Sequence, residues 1–90
     1  MTLLSKAREA SDFILYGTSA CHLCEVAEGL IQQRQAAVAF AYVKYDISES
    51  DELFARYGVR IPVLQRPDGA ELGWPFSALD LEAFIDIAGH

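Results

Sequence analysis

The sequence predicts an α/β domain in which a four-stranded mixed sheet is flanked by three helices, in the order βαβαββα. Three observations predict it. Short apolar runs alternate with stretches whose apolar residues recur at helical spacing, the pattern of a βαβ unit followed by further α and β elements. Late in the chain Pro67-Asp68-Gly69 joins two short runs as a hairpin turn would, proline fixing φ and glycine tolerating positive φ. The chain has 90 residues, 52% of them apolar, enough for one domain with a modest core and too few for two.

Each element has its own signal. Asp12 to Gly17 is an apolar run ending at glycine and reads as a buried strand. Leu23, Val26, Ala27, Leu30 and Ile31 then mark one face of an amphipathic helix of about three turns. Val38 to Ile47 is rich in valine, tyrosine and phenylalanine, with both faces partly apolar, which suits a strand covered on two sides. Ser48 and Asp51 offer a helix start, Leu53, Phe54 and Tyr57 its face, and Gly58 its end. Pro62–Arg66 and Ala70–Trp74 are the two strands around the Pro-Asp-Gly turn. Ser77 with Asp80 caps a last helix, whose face is Leu81, Phe84, Ile85 and Ala88. Residues 1–11 read as an N-terminal extension, and 12–90 as the domain.

Charge narrows the functions. Thirteen acidic against seven basic side chains give a net charge of −6, which repels phosphate backbones, so no nucleic-acid partner is expected. No stretch approaches the roughly 20 apolar residues of a membrane span, and the first ten residues lack the apolar core of a secretory signal. A cytoplasmic monomer with no membrane partner is expected.

The two cysteines, Cys21 and Cys24, are the only ones in the chain and stand three residues apart. In a reducing cytosol such a pair is rarely a structural staple, and it closes a loop too short to stabilise much. Its place is the junction of a strand and a helix inside a βαβ pattern, which suits a redox pair. At the helix start, free N–H groups and the dipole favour an anion, so Cys21 is the expected nucleophilic thiolate. Cys24, one turn on, is the expected resolving thiol. Two other readings stay open: inert core cysteines, and a metal clip. The second lacks ligands, because one Cys-x-x-Cys supplies two where tetrahedral zinc takes four. No metal is therefore expected.

With Tyr16 closing the first strand, Cys21-His-Leu-Cys24, and Tyr57-Gly-Val-Arg-Ile-Pro-Val-Leu64, the chain resembles small glutaredoxin-like proteins of the thioredoxin fold over about residues 12 to 88. The resemblance implies a thiol–disulfide oxidoreductase, with Cys21 and Cys24 catalytic. Its partner would be a disulfide-containing protein or a small thiol. It implies no bound cofactor and makes glutathione a candidate co-substrate. It also implies that Pro62, matching the family's cis-proline, lies opposite the cysteines; Pro67 and Pro75 are expected to be trans. The rival class is a partner-binding module, or a carrier of glutathione or an iron–sulfur cluster, that keeps the fold without turnover.

The departures from the family pattern bear on substrate. Thr18 stands about where glutaredoxins carry a glutathione-binding lysine. Arg60-Ile61 replaces the threonine-valine before the cis-proline. In Gly73-Trp-Pro-Phe76, Pro75 has no backbone N–H to donate. The expected substrate-binding residues are Arg60, Ile61, Pro62, Thr18 and Trp74. Arg60 and His22 are candidate sources of positive charge near Cys21, weighed against a surface arginine paired with an acid and an exposed helix-start histidine, and Trp74 is weighed as a packing residue.

Overall fold

The structure, a computed structural model, describes residues 12–19 and 21–88; the extension assigned to residues 1–11 lies outside them, as do Gly89 and His90 at the close of the last helix. The elements are β1 (Phe13–Gly17), α1 (His22–Gln35), β2 (Tyr42–Asp46), a 3₁₀ turn (Ile47–Glu49), α2 (Asp51–Tyr57), β3 (Val63–Gln65), β4 (Glu71–Gly73) and α3 (Ala78–Ala88). The four strands form one mixed sheet in the order β2-β1-β3-β4. β1 pairs parallel with β2 across the α1 crossover and antiparallel with β3, and β3 pairs antiparallel with β4. This is the expected α/β architecture.

β1 is central, and its alternating side chains feed two cores. Phe13 and Leu15 face α1 and α3, where Ala27, Ile31, Leu64, Phe76, Leu81 and Ile85 join them. Ile14 and Tyr16 face α2, packed with Ile47, Tyr57 and Val63. Arg34 on α1 ties the first layer together through Glu82 at 2.8 Å and Asp86 at 3.0 Å, both on α3. Gly69 closes the hairpin with φ of 96°, the left-handed conformation expected of that turn.

Several local expectations change. The β2 strand begins at Tyr42 rather than Val38, because the Ala37 and Val38 N–H groups bond Arg34 O to close α1. It is also an edge strand, covered less than a central one. α1 runs 14 residues, longer than three turns, and buries Cys24, Ala27 and Ile31. Leu23 and Val26 fall beside that stripe and stay 45% and 41% exposed. Ser48 does not start α2. Asp46 accepts its N–H and hydroxyl within the 3₁₀ turn, and Ser50 caps α2 by accepting Leu53 N–H at 3.2 Å. On so short a helix only Leu53 and Tyr57 reach the core, and Phe54 is left exposed.

Both the Ile61–Pro62 and Trp74–Pro75 bonds are cis. The second corrects the trans geometry expected for Pro75. The flanking rings account for it: Trp74 and Phe76 meet edge to face at 5.0 Å on the α1/α3 core, an arrangement a base rate for single prolines does not anticipate.

Candidate functional site

Cys21 and Cys24 are joined by a disulfide, with Cα atoms 5.2 Å apart. Cys21 is the N-cap of α1. Its backbone is extended, its carbonyl accepts Glu25 N–H, and its Sγ accepts Cys24 N–H at 3.1 Å. A cap normally takes an oxygen from Ser, Thr, Asp or Asn; here a sulfur fills that position, facing an N–H that the first turn of a helix cannot satisfy internally. Cys24 is buried on the inner side of the helix and Cys21 is half-buried at its tip. His22, the first residue of α1, is exposed.

Gly17 gives the Cys24 sulfur its place. A Cβ at Gly17 would stand 2.8 Å from Cys24 Sγ and 3.3 Å from its Cβ. The end of β1 thus has to lack a side chain for α1 to pack so closely. The sequence reading took Gly17 only as a strand terminator; its position four residues before a Cys-x-x-Cys was the available signal.

Pro62 reaches the same place from the next strand. β1 and β3 pair Tyr16 with Val63, and continuing that register by one residue sets Pro62 beside Gly17. Pro62 is buried, Ile61 half-buried, and Pro62 O accepts Trp74 N–H at 3.0 Å. Trp74 is half-buried against the α1/α3 core, in agreement with a packing role. Thr18 follows Gly17 and, with Ser19, Lys44, Tyr45 and Asp46, lines a cavity of about 220 Å³ where the parallel strands β1 and β2 end.

Arg60 is paired with an acid, the second of the two readings weighed for it, rather than left as a free cation beside Cys21. Its guanidinium donates to Glu71 on β4 at 3.0 Å and lies 5.4 Å from the centre of the Tyr57 ring. Glu71, which the sequence did not single out, organises the α2 side of the sheet at the register of Gln65. Its carboxylate also accepts the Tyr57 hydroxyl at 2.5 Å and the Gln65 amide at 3.4 Å. Tyr57 stacks on Tyr16 at 4.2 Å, and the Tyr16 hydroxyl donates to Gln65. The Tyr57 hydrogen bond, with Arg60 adding to it, holds the Glu71 carboxyl below the usual carboxylate range. Burial and the Glu71 bond push Tyr57 up to about 12. No sequence motif marks Glu71, because its partners come from α2, the loop after it, and β3.

Among the described residues no group of three or more His, Cys, Asp or Glu side chains is gathered as a metal site, and no helix is long and apolar enough to cross a membrane.

Comparison with known proteins places this geometry. The profile of the Glutaredoxin-like domain family (DUF836) matches residues 12–86. The X-ray structure of target protein XcR50 from X. campestris is similar, with a TM-score of 0.76 and 39% identity over 83% of this chain and 96% of that one. The solution structure of the same protein gives a TM-score of 0.73 at 39% identity, covering 88% and 97%. Protein Ne2328 from Nitrosomonas europaea, solved by NMR, gives 0.71 at 25% identity, covering 86% and 93%. No curated protein matches the chain.

Proposed function

The chain belongs to the glutaredoxin-like domain family, and from that premise we propose that it is a thiol–disulfide oxidoreductase acting through Cys21 and Cys24. One observation carries the reading: Cys21 Sγ occupies the N-cap of α1 and receives Cys24 N–H at 3.1 Å. In the reduced protein the same N–H and the helix N-terminus favour the thiolate over the thiol, which lowers the pKa and supplies the nucleophile at neutral pH.

The reaction runs in two exchanges. The Cys21 thiolate attacks one sulfur of a substrate disulfide, forms a mixed disulfide and releases the other sulfur as a thiolate, which takes a proton from solvent. Cys24, losing its proton, then attacks Cys21 Sγ. That step forms the intramolecular disulfide and expels the second substrate thiol. Two electrons pass from the protein to the substrate, and two equivalents of an external thiol return them, leaving as the external disulfide. Burial suits Cys24 to the second step, because a bulky substrate sulfur reaches Cys21 first. Pro62 and Ile61 shape the surface beside the pair, Trp74 supports Pro62, and Thr18 borders the approach from β2.

The substrate class in this reading is a disulfide-bearing protein or small molecule in a reducing cytosol, with the chain acting as a monomer and holding no cofactor. Glutathione is expected to be a poor co-substrate. Thr18 stands where a lysine would hold it, Pro75 lacks an N–H, and Arg60 is engaged by Glu71.

Alkylation of the reduced protein at neutral pH, mapped by mass spectrometry, tests the assignment: label is expected on Cys21. Cys24→Ser should trap a mixed disulfide and Cys21→Ser should not. Preferential labelling of Cys24 would overturn the roles. A pair that stays oxidised against a cytosolic dithiol buffer, or a brown protein as purified, would favour the carrier or binding module instead.

A further inference from the structure

We propose that the cavity where β1 and β2 end is a specificity pocket beside the dithiol: it seats an uncharged apolar side chain of a substrate polypeptide, at a residue adjoining the cysteine whose disulfide the protein reduces. This rests on the oxidoreductase reading given above and names its substrate class, polypeptide disulfides whose cysteine has an apolar neighbour.

The cavity and the reactive pair share a wall. Gly17 lines the cavity, and its bare Cα also faces the Cys24 sulfur, which a Cβ there would approach to 2.8 Å. Cys24 is bonded to Cys21, the half-buried member of the pair and the proposed nucleophile. The residue next to a substrate cysteine lies about 3.8 Å along the chain, so a flanking side chain reaches the cavity when the substrate sulfur is on Cys21. The cavity also lies at the carboxyl ends of two parallel strands, where Gly17 pairs with Asp46. That is the place where open α/β sheets hold ligands.

The lining selects the occupant. At about 220 Å³ the cavity falls below the roughly 300–1,000 Å³ of pockets for drug-sized molecules, and it suits a single side chain. Its surface is mostly apolar, with Leu15 and Tyr45 on its walls. Leu15 belongs to the core, and Tyr45 is braced edge to face by Tyr16 at 5.8 Å. Both charged residues of the lining are engaged by neighbours. Lys44 donates to Glu28 at 3.2 Å, and Asp46 accepts the Ser48 N–H at 2.9 Å and the Ser48 hydroxyl at 2.6 Å. A charged group entering the cavity would compete with those bonds or lose water without gaining a partner. An aliphatic or aromatic group gains by leaving water.

The test uses the reduced full chain in single-turnover exchange with the symmetrical disulfides of blocked tripeptides, in which cysteine is flanked on both sides by glycine, by leucine or by aspartate. Each rate is divided by that peptide's rate with dithiothreitol, which removes differences in intrinsic reactivity. The leucine peptide should then react roughly threefold to tenfold faster than the glycine peptide, and the aspartate peptide no faster than glycine. Ser19→Phe, which adds a ring at the exposed edge of the cavity, and Tyr45→Ala, which removes a wall, should each bring the leucine preference close to one. The two act in opposite ways, so misfolding of one leaves the other to decide. Val26→Ser, on the exposed apolar part of α1, should leave the preference unchanged. The inference is overturned if the aspartate peptide is favoured, if a cavity variant that still reduces the glycine peptide keeps the leucine preference, or if Val26→Ser removes it. Absence of exchange with every peptide in the unmodified protein would overturn the oxidoreductase reading and this inference with it. Exchange without a leucine preference would overturn the inference alone.

Discussion

Gly17 leaves no room for a side chain, since an added Cβ would lie 2.8 Å from a buried sulfur. Its replacement by alanine has to displace Cys24 or the end of β1, so Gly17→Ala is expected to destabilise the oxidised protein by about 1–3 kcal/mol. Denaturant unfolding would measure this, and an unchanged midpoint would mean that the helix start yields freely. Tyr57 gives a second expectation at this scale. Its folded pKa of about 12 exceeds the ordinary 10.0, so the unfolded chain loses that proton first as pH rises. The stability this proton contributes is complete below about pH 10 and is lost as pH climbs to about 12. Tyr57→Phe should therefore flatten part of the alkaline decline in thermal midpoint, and an identical decline in the variant would contradict the assignment.

The helices differ in how their ends are fixed. At α3, Ser77 N–H donates to Asp80 Oδ2 and Asp80 N–H donates to Ser77 Oγ, each at 3.1 Å, a reciprocal capping box. Ser77→Ala should cost about 1 kcal/mol, because Asp80 N–H in the first turn loses its acceptor. At α1 the corresponding place is taken by the Cys21 sulfur, so the residue that starts the helix is also the proposed nucleophile. The interior of α1 holds a further handle. Gly29 is exposed, and a Cβ there meets nothing within 4 Å, so Gly29→Ala should stabilise the protein by about 0.5–1 kcal/mol. Thermal unfolding would show it, and a lowered midpoint would refute it.

For the molecule as a whole, the two cores rather than the disulfide hold the fold. The Cys21–Cys24 bond closes a loop of four residues, for which loop-closure entropy gives at most about 2 kcal/mol. Removing one fully buried side chain at the sheet centre exceeds that: Leu64→Ala should cost about 2–5 kcal/mol. The reduced and oxidised proteins are thus expected to share a fold and differ little in unfolding midpoint, as the proposed redox cycle requires. Comparison of the two forms by denaturation and circular dichroism checks this, and unfolding on reduction would make the disulfide structural.

Local chemistry was written plainly in the chain. Periodicity located the strands and helices, Pro67-Asp68-Gly69 its hairpin, Ser77 with Asp80 the last cap, and the strand–Cys-x-x-Cys–helix junction the dithiol. These features depend on residues within a few positions of one another, so sequence order suffices to find them. What the sequence left unresolved depends on residues far apart. Leu23, Val26 and Phe54 share the apolar character of their neighbours but fall where no element covers them. β2 became an edge strand only once the strand order was set. The acid that pairs with Arg60 could not be named, because Glu71, eleven positions away, meets it only when β4 folds back beside β3. The sequence by itself determined the fold and the position of the cysteine pair. The tertiary structure decided which charges meet, such as Arg60 and Glu71, because charges act through distance in space and not along the chain.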